Sequence, residues 1–117
     1  MRIIETRALR WLAACGLLSL AGCAHQSQSL YQWGSYQDQV YQYFKGESPE
    51  QQILALEKDL QTMQAANRLA PPGLHAHLGM LYAETGNDGK ARENLLAERS
   101  QYPESATYID LLLKKHQ

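Results

Sequence analysis

Two consecutive prolines, Pro71 and Pro72, followed by Gly73, constrain this chain most. A residue ahead of proline avoids helical geometry, and proline lacks the N–H that would continue a helix. No helix passes this point, so the chain folds as helical stretches on either side of it. Pro49 and Pro103 divide it again. Ser48-Pro49-Glu50-Gln51 reads as a helix start, with Ser48 as N-cap, Pro49 at N1 and Gln51 closing a capping box. Glu50 adds a favourable charge near the positive end of the helix. The stretch from Pro49 to about Leu69 carries Ile53, Leu56, Leu60 and Met63 on one face. Glu57, Lys58, Asp59, Gln61 and Gln64 fall on its remaining surface.

The other stretches carry the same helical period. Over 36–45, Tyr36, Val40, Tyr43 and Phe44 form one face, and Gly46 stops the helix. Over 72–85, with Pro72 at N1, Leu74, Leu78, Leu81 and Tyr82 face inward and Gly86 follows as the C-terminal glycine. Asn87-Asp88 supplies the next N-cap, and 89–102 turns Ala91, Leu95 and Tyr102 inward with Leu96 beside them. Over 104–115, Tyr108, Ile109, Leu111 and Leu112 are expected inside, with Lys114 and Lys115 at the negative end. No β-branched run or alternating hairpin interrupts this pattern. The expected class is all-α: antiparallel helix pairs, about five helices, with short connections.

The N-terminus has a different composition. Arg2, Arg7 and Arg10 precede an apolar segment, Trp11–Ser19, which at nine residues is far shorter than the about 20 needed to span a bilayer. Leu20-Ala21-Gly22-Cys23 follows. A basic start, a short apolar region and small residues describe a secretory signal. The tetrapeptide resembles the lipobox of bacterial lipoproteins. The resemblance implies cleavage between Gly22 and Cys23, acyl chains such as palmitate on Cys23, and the division 1–22 signal peptide, 23–30 lipidated cysteine and tether, 31–117 helical domain. Ala24 in the following position, by the same resemblance, favours the outer membrane over the inner. The tether is polar and unpatterned, and Ala24–Leu30 reaches about 20 Å at most.

Cys15 and Cys23 are the only cysteines. With the first in the signal and the second lipidated, no thiol is left for a disulfide, a thiolate metal site or a nucleophile. Loss of Arg2, Arg7, Arg10 and Glu5 with the signal moves the formal net charge from −1 to −3, which disfavours a polyanion-binding surface.

Residues 72–105 form a window that resembles a tetratricopeptide repeat. Leu78-Gly79 and Tyr82 match its first helix, Gly86 its turn, Ala91 the small residue at the helix crossing, Leu95 a large position and Pro103 the terminal proline. Gly79 and Ala91 would let the two helices approach, with Leu78, Tyr82 and Leu95 filling the space around them. His75 stands where tryptophan is usual, and Glu98 where alanine is usual. Residues 38–71 are at best a degenerate first repeat, and the last helix reads as a cap. Tyr31-Gln32-Trp33-Gly34 soon after a lipobox, then a Tyr-rich helix, Pro71-Pro72-Gly73 and Leu78-Gly79-Met80-Leu81-Tyr82, is similar to a family of short, functionally uncharacterised bacterial lipoproteins, a domain-of-unknown-function family. That resemblance covers 23–117 and implies neighbours such as a curli-channel-like lipoprotein.

Residues for chemistry are sparse. His75 and His77 sit two apart, so on a helix they point about 200° from each other and cannot share one metal. His25 and His116 lie in the tether and the tail. No acidic pair, glycine-rich phosphate loop with its lysine, or serine in a nucleophile elbow is present. The expectation is no enzyme, no catalytic residues, no cofactor, no metal, no nucleic acid and no small-molecule substrate. Tyr31, Trp33 and Tyr36 have two readings: rings covering the open end of the helical core, or a docking patch for a protein partner. A groove of the repeat would add residues near His75, Gly79 and Tyr82. The functional expectation is an adaptor in an envelope assembly, lipid-anchored on the periplasmic face of the bacterial outer membrane. The alternatives are an outer-membrane activator of a peptidoglycan synthase and a pilotin-like helper of a secretion or pilus channel.

Overall fold

The computed structural model describes residues 29–115. The expected signal 1–22, with Gly22, then Cys23, His25 and the rest of the tether to residue 28, and His116 lie outside the described residues. Within them the chain is all-helical. Five helices follow one another: α1 Tyr36–Phe44, α2 Pro49–Ala65, α3 Leu74–Glu84, α4 Asp88–Gln101 and α5 Ala106–Lys115, with a 3-10 turn at Pro103–Ser105 ahead of α5. The described residues contain no strand. A single parallel bridge joins Tyr31 to Leu69, and the Gln32 N–H donates to the Leu69 carbonyl at 3.3 Å.

Helix α3 is central. Leu74, Ala76, His77, Leu78, Gly79, Leu81 and Tyr82 are all buried, so it is covered on nearly every side, as a core helix must be. On one side lie Ile53, Leu56 and Met63 of α2. On another lies α4, whose approach is set by Gly79. A Cβ there would stand 2.9 Å from Leu95 Cγ and 3.0 Å from the Ala91 carbonyl oxygen, too close for both. Ala76 and Leu95 form a second cluster with Ile109, backed by Leu112 and Leu113 of α5. Tyr36 and Tyr43 of α1 complete the surround, their rings 6.2 and 5.3 Å from the His77 ring.

Several helix ends differ from expectation for local reasons. Helix α2 stops at Ala65, short of residue 69, because Asn67 adopts a left-handed φ of +51°. That releases Arg68–Ala70 to run extended and pair with Tyr31. Helix α3 starts at Leu74, not Pro72, with Gly73 as N-cap at φ +93°. Ser48 is the N-cap of α2 but forms no capping box; its hydroxyl donates to Glu50 Oε2 at 2.5 Å instead. The turn at Pro103–Ser105 delays the last helix to Ala106.

Four side chains expected inside are exposed: Phe44 by 80%, Leu111 by 64%, Tyr108 by 52% and Leu96 by 38%. Helix α5 packs through Ile109, Leu112 and Leu113, so only one narrow stripe of it is covered. Helix α1 has no fully buried residue. Asp59, expected on the surface, is half-buried: it accepts from the Ser35 N–H at 2.7 Å and the Ser35 hydroxyl at 2.6 Å.

Glu98 supplies what Gly73 lacks. A glycine N-cap has no side chain to accept from the first turn of its helix. The Glu98 carboxylate, 2% exposed, reaches back from α4 and fills that place. Its Oε1 accepts from the Gly73 N–H at 2.7 Å and its Oε2 from the Ala76 N–H at 3.3 Å. A carboxylate at a helix N-terminus also complements the helix dipole.

Two substitutions test this packing by thermal or urea unfolding. Glu98→Ala strands two buried N–H groups and is expected to lower stability by about 2–4 kcal/mol, with Glu98→Gln recovering part of the loss. Gly79→Val overfills the α3–α4 contact and is expected to cost about 2–3 kcal/mol.

Candidate interaction surface

The leading segment before α1 is held at three points. Gln32 is bonded to Leu69, and Ser35 to Asp59. Gly34, at φ +52°, brings the backbone so close to the Asp59 carboxylate that a Cβ would stand 2.7 Å from it. These ties assemble an aromatic cluster. The Tyr31 ring meets Trp33 edge-on at 6.4 Å and Tyr102 at 6.1 Å, and Trp33 stacks on Tyr36 at 6.4 Å. The Tyr102 hydroxyl donates to the Ala70 carbonyl, and burial pushes its pKa up to about 12.

The structure brings Tyr31, Trp33 and Tyr36 together but gives them unequal exposure. Tyr31 and Tyr36 are half-buried against the helical core; Trp33, 39% exposed, offers a ring edge to solvent. Tyr31 and Tyr36 therefore cover the helical core, and Trp33 is the ring of the three left most open. His75 is elsewhere. Its Nδ1 lies 3.0 Å from Asn94 Oδ1, in an open cleft of about 350 Å³ lined by Glu57, Gln61, Gln64, Lys90 and Glu93.

Gly79 and Tyr82 are not groove-lining. Both are buried, because α2 and α4 close over α3. The Tyr82 hydroxyl donates to Glu57, and Lys90 Nζ reaches Glu57 Oε1 at 3.0 Å and the Tyr82 oxygen at 3.2 Å. The Tyr82 hydrogen bond, then Lys90, holds the Glu57 carboxyl below the usual range. These three residues tie α2, α3 and α4 together. Leu78, Ala91 and Leu95 are core, Gly86 turns the α3–α4 connection at φ +77°, and Pro103 opens the 3-10 turn. Among the described residues no three His, Cys, Asp or Glu side chains gather as a metal would need, and no helix is long and apolar enough to cross a membrane.

The sequence reading missed His77. It is buried between α1 and α3 with Nε2 lacking a hydrogen-bond partner. Its signal was its place two residues from His75, on the opposite face of the same helix.

The model of a domain of unknown function, DUF4810, matches residues 30–112. The chain belongs to the DUF4810 family. The match begins with the leading segment and ends within α5, so the DUF4810 domain comprises all five helices together with the aromatic cluster. No curated protein and no solved structure matches the chain.

Desolvation lowers the pKa of His77 below 6.5, with Glu84 pulling weakly the other way. In the unfolded chain this imidazole takes a proton near its ordinary value; in the folded domain it does so only at lower pH. The unfolded state therefore binds more protons in that window, and stability falls as pH drops below about 6.5. Unfolding measured from about pH 7.5 to 5 is expected to show this slope, and His77→Phe is expected to flatten it.

Proposed function

We propose that this DUF4810 chain is a lipid-anchored adaptor on the periplasmic face of the bacterial outer membrane, holding a second envelope protein close to the bilayer. The anchor is Cys23, on the strength of the Leu20–Cys23 lipobox and the short basic and apolar stretches ahead of it. The α3–α4 pair is read as one tetratricopeptide-like unit. Its support is the close crossing at Gly79 and Ala91 and the filling of that crossing by Leu78 and Leu95.

One observation carries the adaptor reading. Helix α5 covers the α3–α4 pair with a single stripe and leaves Tyr108 and Leu111 outward, where a further helix would stack in a longer array. Exposed apolar side chains on an unfinished array suit a helical segment of a partner better than solvent. A curli-channel-like lipoprotein, itself at the membrane, fits the short tether better than a synthase across the periplasm.

The test is capture of such a channel lipoprotein from solubilised membranes by the full-length protein. Tyr108→Ser with Leu111→Glu is expected to lower recovery about tenfold with helicity unchanged, since both positions are exposed. Cys23→Ser is expected to move the protein out of the membrane fraction. Recovery of a peptidoglycan synthase or a secretion channel in place of the curli-channel-like protein would transfer the reading to the corresponding alternative.

A further inference from the structure

We propose that the outward face of the leading segment and α1 lies on the lipid surface itself, with Trp33, Tyr41 and Phe44 entering the headgroup layer. This rests on the anchor at Cys23 and adds a second, non-covalent contact with the membrane.

Helix α1 carries aromatic side chains beyond the face it packs on the domain. Tyr36, Val40 and Tyr43 turn toward the domain, and Tyr36 and Tyr43 pack against its core. Phe44, at the edge of that face and edge-on to Tyr43, is 80% exposed, and Tyr41, further round the helix, is 59% exposed. No residue of α1 is fully buried, so the domain covers only half of it. A helix whose apolar arc is wider than the stripe it packs leaves aromatic surface for a second apolar phase. Neighbouring residues in the chain or paired with it add exposed apolar surface: Leu30 is 69% exposed, Trp33 39%, and Leu69, bridged to Tyr31, 48%. Five of the nine large apolar side chains exposed among the described residues therefore belong to 30–44 or to the residue paired with it.

The residue types suit a headgroup layer more than a protein core. Tryptophan and tyrosine, with apolar bodies and polar tips, concentrate at the membrane–water boundary. Lys45, whose Nζ lies 5.2 Å over the Tyr41 ring, can reach a phosphate while its stem stays on the aromatic surface. Asp38 and Glu47 offset its charge, so the face has no basic cluster and suits a zwitterionic surface.

Chain length places this face at the bilayer. The chain is fixed to the domain at Gln32 by its bond to Leu69, and Trp33 follows directly. Only residues 24–31 separate that point from Cys23, an extended reach of about 26 Å. The headgroup layer occupies about 5–7 Å of that distance. The leading segment, with Leu69 bonded to it, is the part of the domain tied nearest the anchor, and α1 follows it directly.

The mature chain offers a direct probe. Once Trp11 leaves with the signal, Trp33 is the only tryptophan. The experiment uses the processed protein, reconstituted in vesicles of phosphatidylethanolamine with minor phosphatidylglycerol, with or without phosphatidylcholine brominated near the headgroup. Trp33 emission is expected to fall about twofold with the brominated lipid. Tyr41→Ser with Phe44→Ser, both at exposed positions, is expected to abolish most of that quenching while helicity stays unchanged. An acylated chain whose Trp33 is equally bright in both vesicles overturns this inference and leaves the anchor standing. Quenching unchanged in the double variant also overturns it, because proximity through the anchor alone would then explain the signal. Shielding of Trp33 from acrylamide that grows with protein concentration at fixed lipid, with no bromine quenching, assigns the face to a second copy and overturns it too. A mature chain whose mass shows no acyl group at Cys23 overturns the anchor and this inference together.

Discussion

The arrangement depends on one carboxylate. Glu98 caps the first turn of the central helix from a neighbouring helix, and in doing so it fixes where α3 begins relative to where α4 ends. The Pro71-Pro72-Gly73 corner can then turn sharply without leaving buried donors empty. Burial first, and the neighbouring Glu98 carboxylate after it, raise the pKa of Tyr36 and of Tyr102, so the same group sits close to the aromatic cluster. A charged residue at a packing position is costly unless its oxygens are satisfied. Here two backbone N–H groups satisfy them, and the position is structural for that reason.

The sequence made the helices readable because prolines and glycines punctuate it and because Ile53, Leu56, Met63, Leu74, Leu78, Leu81 and Leu95 recur at helical spacing. It did not reveal how wide a stripe each helix buries. Phe44, Leu96, Tyr108 and Leu111 belong to periodic faces, yet period alone does not count the neighbours a helix has. Glu98 read as a mismatch because its partners are backbone groups, which carry no sequence signature. A glycine N-cap with no side-chain acceptor of its own was the clue available. His77 was legible as opposite to His75, but its burial depends on α1 lying over α3, a long-range contact. The early end of α2 at Ala65 follows from the left-handed Asn67, a conformation asparagine tolerates and does not require. In the leading segment the spacing of Tyr31, Trp33 and Tyr36 marked a cluster correctly as aromatic but could not divide it into covered and exposed rings.

Helix α3 is buried on nearly all sides, so most of the domain's surface comes from the helices around it. Those helices are unequally covered. Helices α2 and α4 are joined through Glu57, Tyr82 and Lys90, beside the open cleft that holds His75. Helices α1 and α5 each pack through one stripe and leave aromatic or leucine side chains exposed.

The ties at Gln32 and Ser35 bear on mechanics. Tension applied to the chain ahead of residue 31 does not pull first on α1. It meets the Gln32–Leu69 bond, then the paired Ser35–Asp59 bonds, and so passes into α2 and the α2–α3 connection. From Ala70, held by Tyr102, the load continues into α4. The bonds lie on different elements, so strain is shared among α2, α4 and the α2–α3 connection before any one of them gives way. The leading segment thus works as a strain relief, and α1 can stay folded while the chain before it is under load.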